Sequence, residues 1–119
     1  MIPLTTRFRG LWRWLTGKPP LVLYQQVNGD PPSATKPNIL YAVLEESEPW
    51  QAAMICPCGC NEFIHLSLLP NDRPRWRLVR NVDGTASLHP SVWRTTGCRS
   101  HFILRNGEIT WCHENDQGL

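Results

Sequence analysis

Three of the chain's five cysteines fall within five residues, in the run Cys56-Pro57-Cys58-Gly59-Cys60. Neighbouring Cys-x-Cys pairs close disulfides only with strained geometry, whereas thiolates converging on one metal ion need that proximity. Three free thiolates in one turn would also repel one another and oxidise readily, so a bound Zn²⁺ is the economical reading. Gly59 lets the backbone curl around an ion. A fourth ligand must come from elsewhere. Cys98, in Thr96-Gly97-Cys98-Arg99-Ser100-His101, is the first candidate, with His101 and Cys112 behind it. Four thiolates would close the tetrahedron and make the ion structural; three protein ligands including a histidine would leave a position for water and for catalytic zinc. The run departs from the zinc-ribbon pattern of two Cys-x-x-Cys knuckles, and the competing reading keeps one or two of these cysteines as small buried hydrophobes.

The rest of the chain is what must position these groups. Its 119 residues fit one domain, and a formal net charge of +2 with 18% charged and 41% hydrophobic residues excludes a polycation or an acidic disordered tail. A domain this small has a modest core and calls for a staple. Arg7, Arg9, Arg13 and Lys18 make residues 1–18 basic with no acid, leaving −2 on the remainder. That remainder lacks the electrostatic footprint for nucleic acid. The opening segment reads as a basic aromatic arm, with Leu11, Trp12, Trp14 and Leu15 between arginines. Its arginines interrupt any run of signal-peptide length, and no apolar run reaches the eighteen residues of a transmembrane helix. Together with the metal reading of the cysteines, this places the chain in a reducing cytoplasm.

Residues 1–38 read as arm and Pro/Gly-rich linker, with Leu21-Val22-Leu23-Tyr24 as at most one edge strand. Residues 39–119 read as a zinc-stabilised β domain. Short β-type runs recur there: Ile39 to Leu44, Gln51 to Ile55, Phe63 to Leu68, Arg75 to Val79, Thr85 to Leu88, Ser100 to Arg105, and Glu108 to Trp111. The expected class is all-β, a small antiparallel sandwich or half-barrel. Asn106-Gly107 predicts a two-residue hairpin turn, and Asp83-Gly84 is a second candidate. Counting out from Asn106-Gly107 opposes Arg105 to Glu108, Leu104 to Ile109, Phe102 to Trp111, and His101 to Cys112. Phe102, Leu104, Ile109 and Trp111 then form one core stripe. Ser100 shares that parity and reads as a structural hydroxyl.

The combination of Cys56-Pro-Cys-Gly-Cys60, Trp76, Pro90-Ser91-Val92, Cys98-Arg-Ser-His101-Phe102 and Gly107-Glu-Ile-Thr-Trp111 resembles a family of small bacterial domains, long classed as of unknown function. Their genes lie beside those for a ubiquitin-like protein and its activating and conjugating enzymes. The resemblance covers about residues 39–112. It implies a serine peptidase that deconjugates a ubiquitin-like modifier, with the modifier and its conjugates as partners. It further implies a structural zinc on Cys56, Cys58, Cys60 and Cys98, with Ser91 as nucleophile and His101 as base. Serine attack needs a base within hydrogen-bond reach and an orienting group on the other imidazole nitrogen. Asp83, Glu62 and Asp72 are the acids to consider for that third place, and backbone amides near Gly97 are the candidate oxyanion donors.

Two other functions compete with it: a non-catalytic zinc β module that captures a protein partner, and a zinc hydrolase with His101 as ligand and metal-bound water as nucleophile. From its type and its place after a proline alone, Ser91 is more often a turn-capping hydroxyl than a nucleophile. Trp76, Trp93 and Trp111 can equally supply core volume or a recognition surface.

Overall fold

The computed structural model describes residues 19–30 and 35–112. The basic arm of residues 1–18 lies outside the described residues. The described residues form strands and no helix: β1 (Leu23–Asn28), β2 (Ile39–Glu45), β3 (Glu48–Ile55), β4 (Phe63–Ser67), β5 (Arg77–Arg80), β6 (Ala86–His89), β7 (Val92–Trp93), β8 (His101–Arg105) and β9 (Glu108–Trp111). They make three small sheets, ordered β1-β2-β3-β4, β5-β6 and β7-β8-β9, none closed into a barrel. The all-β expectation is met, and every strand read from the sequence has a counterpart.

The apolar run that begins β2 explains its central place. Leu40, Tyr41, Ala42 and Val43 are all buried, which alternation would forbid for a strand with one wet face. In β4 the pattern does alternate: Ile64 and Leu66 are buried and His65 is exposed. The Leu21–Tyr24 stretch leads into an edge strand that continues to Asn28 and pairs with β2 in parallel, Leu23 opposite Ile39. Exposed Gln25 and Gln26 suit that edge.

The Asn106-Gly107 turn sets the register counted from the sequence: Arg105 opposite Glu108, Leu104 opposite Ile109, Phe102 opposite Trp111. Both turn residues have positive φ, 52° and 77°. Gly107 is needed for a second reason. A Cβ there would lie 2.8 Å from Thr85 Cβ and 3.0 Å from the Val22 carbonyl oxygen. Its N–H donates to the Ala86 carbonyl at 2.8 Å while its own carbonyl accepts from Val22 N–H at 2.8 Å. The hairpin tip is thus clamped between β6 and the lead-in to β1, joining all three sheets.

Asp83-Gly84 behaves differently. The β5–β6 loop encloses three residues, with Gly84 N–H donating to the Asn81 carbonyl and Asn81 N–H to the Thr85 carbonyl. Gly84 alone takes positive φ, because the Asp83 carboxylate turns back to accept from Thr85 N–H at 3.1 Å and so favours an Asx-type turn. The core stripe also needs one correction. Phe102 and Leu104 are fully buried and Ile109 packs against them, but Trp111 on edge strand β9 is 43% exposed, touching Phe102 edge-on at 5.7 Å between ring centroids.

Candidate functional site

The β3–β4 loop begins as Cys56 N–H donates to the Glu62 carbonyl at 2.8 Å, and positive φ at Gly59 and Asn61 folds the intervening residues back on themselves. A second loop joins β7 to β8. Arg94 N–H donates to the Ser100 carbonyl at 2.8 Å, extending the β7–β8 ladder by one pair, and positive φ at Gly97 and Arg99 turns the chain. Gly97 takes φ +67°, a conformation that strains any side chain, and a Cβ there would also crowd Glu62 Oε1 at 3.0 Å and Arg94 Nη2 at 3.3 Å.

The meeting of these loops gathers Cys56, Cys58, Cys60 and Cys98, whose sulfurs all lie within 4.8 Å of one another. Cys56 Sγ is 3.4 Å from Cys58 Sγ and 3.6 Å from Cys98 Sγ. A tetrahedral ion with metal–sulfur bonds of about 2.3 Å separates its sulfurs by roughly 3.8 Å, so the donor set fits a closed four-thiolate site. The surroundings favour the thiolate at Cys98 and Cys58 and oppose it at Cys56. Ser100 Oγ lies 3.1 Å from Cys98 Sγ, and its hydrogen bond pulls the Cys98 thiol down to about 6 and lowers Cys58 as well. Burial pushes Cys56 up to about 12. Arg94 Nη1 donates to Cys98 Sγ at 3.2 Å and Cys60 Sγ at 3.6 Å, while Nη2 forms a 2.8 Å ion pair with Glu62. That hydrogen bond to Glu62 holds the guanidinium firmly charged. Among the described residues, neither His101 nor Cys112 belongs to the four-sulfur group.

His101 lies elsewhere. Trp93 is directly opposite it in the β7–β8 ladder and Arg94 opposite Ser100, so the strand pleat sends Trp93 and His101 to one face and Arg94 and Ser100 to the other. On the Trp93 face, Ser91 Oγ lies 2.8 Å from His101 Nε2. With the hydroxyl donating, Nε2 accepts and the ring proton resides on Nδ1. The Ser91 carbonyl is held in turn by Trp76 Nε1–H at 3.2 Å. His101 stacks on Trp93, centroids 5.1 Å apart and planes within 13°.

None of the three acids considered for the third place reaches this face. Glu62 pairs with Arg94, Asp72 accepts from Ser67 Oγ, and Asp83 accepts from Thr85. His101 Nδ1 is buried with no hydrogen-bond partner among the described residues. Gly97, near which backbone amides were considered as oxyanion donors, lies in the β7–β8 loop beside the Arg94–Glu62 ion pair. Ser100, read as a structural hydroxyl, proves to be a hydrogen-bond partner of the sulfur cluster. Trp93, 52% exposed, is not core. Sequence reading missed the contacts of Trp93 and Arg94 with the site. The available signal was parity, since Ser91 and Trp93 are two residues apart in an extended run.

An all-β frame that carries a serine hydroxyl on an imidazole, beside four cysteines that could hold a metal ion, defines the class as a small all-β domain with the elements of a serine hydrolase. The chain belongs to the BubE family: the family model described as bacterial ubiquitination-like system serine protease (BubE) matches residues 27–112, well over half of the sequence. No curated protein and no solved structure matches the chain.

Proposed function

We propose that this chain is a serine peptidase that cleaves the C-terminal linkage of a bacterial ubiquitin-like modifier, releasing it from its conjugates. The observation that carries the reading is the 2.8 Å hydrogen bond between Ser91 Oγ and His101 Nε2, formed by two residues of a chain in a serine-protease family. In this mechanism Ser91 Oγ attacks the scissile carbonyl as its proton passes to His101 Nε2. The resulting imidazolium returns the proton to the leaving amine, giving an acyl-serine and the freed amine. Water then adds to the acyl carbon, its proton taken by Nε2, and Ser91 is regenerated as the modifier leaves with a free carboxylate.

The metal assigned to Cys56, Cys58, Cys60 and Cys98 is Zn²⁺ in a structural role. Four thiolates leave no position for water, and His101 Nε2 is engaged by Ser91, which together favour this reading over the metal-bound-water alternative. The free thiols suit a reducing cytoplasm, and no helix among the described residues is long and apolar enough to cross a membrane.

The test is cleavage of a modifier fusion by the full chain. Ser91→Ala should reduce kcat by at least about a thousandfold while zinc content and near-UV circular dichroism stay unchanged. Full activity in that variant would sink the assignment. Tight capture of the modifier without turnover by the unmutated chain would replace it with the non-catalytic binding module.

A further inference from the structure

A serine–histidine pair ordinarily relies on a hydrogen-bond acceptor at the second imidazole nitrogen to hold the ring's rotation and to stabilise the imidazolium. Here Nδ1 is buried without one among the described residues, and Glu62, Asp72 and Asp83 are engaged elsewhere. What does contact the ring is an indole. Trp93 is the cross-strand partner of His101, and its ring lies nearly parallel to the imidazole at 5.1 Å. That separation lies within the range in which an aromatic face attracts a cation. The indole is also fixed from the backbone side, because Val92 and Trp93 pair with Phe102 and His101, and Val92 and Phe102 are buried in the core.

We propose that Trp93 is the positioning residue of the Ser91–His101 pair. Its face holds the imidazole with Nε2 directed at Ser91, and it stabilises the ring when the imidazole takes up the serine proton. The role rests on the dyad reading above. It assigns to a flat, half-exposed side chain the work that a carboxylate performs in a triad. Trp93 stays 52% exposed despite this stack, so the constraint on His101 is also open to whatever peptide approaches Ser91.

The experiment measures cleavage of the modifier fusion and the NMR shifts of the His101 ring protons in the full, metal-loaded chain. Trp93→Leu should lower kcat about 10- to 100-fold, the scale expected for a small misplacement of a reacting group, and Trp93→Phe should recover most of the loss. KM should change by less than about threefold, because the interaction lost belongs to the enzyme's own pair. In the unmutated chain without substrate, the His101 ring protons should sit upfield in the indole ring current, and Trp93→Leu should return them to ordinary positions.

Unshifted His101 protons in the unmutated chain overturn the stack. Trp93→Leu with unchanged kcat, in a chain whose activity depends on Ser91, overturns the positioning role alone. A rise in KM at constant kcat overturns it too, making Trp93 a substrate contact instead. Full activity of Ser91→Ala overturns the dyad reading and this role with it, so the two failures are told apart. If Trp93→Leu proves poorly folded by its metal content, Trp93→Met removes the aromatic face with a flexible side chain and should lower kcat on the same scale, and unchanged kcat in a folded Trp93→Met overturns the positioning role.

Discussion

The β7–β8 hairpin has two faces, and they are held in opposite ways. On one, Cys98, Ser100 and Arg94 meet the Cys56–Cys60 loop in a web where every sulfur has a polar neighbour: Arg94 reaches Cys60 and Cys98, Ser100 reaches Cys98, and Cys56 touches Cys58 and Cys98. On the other, one hydrogen bond joins Ser91 to His101, one stack braces the imidazole, and Nδ1 goes unpartnered among the described residues. Only the pleat of the strands separates the faces, and the buried Val92 and Phe102 share the parity of Arg94 and Ser100. A network closed on itself suits a staple, since partial satisfaction of buried polar groups costs stability. A pair with one open side suits chemistry, where the proton on Nε2 must come and go.

The sharpest way to break this contrast is Cys56→Ser. Cys56 is almost fully buried and packs in the hydrophobic core, so it joins the sulfur knot to the frame. Binding at a structural thiolate site is folding free energy, and loss of one ligand should lower stability by at least about 3 kcal/mol, roughly 15 °C in Tm for a domain of this size. Metal analysis together with a thermal melt checks it. Activity should vanish with the fold, so the melt carries the interpretation. A variant that keeps both its Tm and a stoichiometric metal would reduce Cys56 to a small hydrophobe.

Arg94→Gln is gentler and separates the faces. It removes a cation beside two sulfurs while leaving the Arg94 N–H to Ser100 carbonyl bond in place. Groups that orient metal ligands without binding the metal are commonly worth 10- to 100-fold in affinity, and competition against a chelator should show a loss on that scale. The His101 ring shifts should not move in the metal-loaded variant. If they do, the two faces are coupled through β7, and the contrast drawn between them fails.

How much of this was legible beforehand depends on how local the signal was. The Asn106-Gly107 turn needs two positive φ values that few other dipeptides tolerate, so the β8–β9 register could be counted from it residue by residue. The sulfur knot was legible because three cysteines sit in five residues. Strand β7 was not read, because two residues give no alternation to detect, and its pairing depends on the positive-φ returns at Gly97 and Arg99. Without that pairing Trp93 could not be set against His101, nor Arg94 against Ser100. Ser91 shows the same limit. Its type and neighbours suggested only a turn hydroxyl, and a family pattern was needed to single it out before the 2.8 Å contact with His101 was on view. The parallel partnership of β1 with β2 was likewise invisible, being a long-range choice of edge that no residue in Leu23–Asn28 announces.

The smallest effect concerns the fifth cysteine. The hairpin count set Cys112 opposite His101, and the chain obeys it: Cys112 N–H donates to the His101 carbonyl at 2.9 Å. Had its sulfur entered the metal shell, His101 would sit on the edge of a mixed site and its role as base would weaken. Instead the four-sulfur group excludes it among the described residues, and its attachment to His101 runs through the backbone. Serine preserves that backbone bond and most of the volume. Cys112→Ser should therefore leave metal stoichiometry unchanged, shift stability by no more than about 0.5 kcal/mol and lower the free-thiol count of the metal-loaded chain by one. Thiol titration with and without denaturant, beside metal analysis, makes the measurement. A fall in metal content would bring Cys112 into the shell, merge the two faces into one centre, and remove the separation on which the proposed dyad depends.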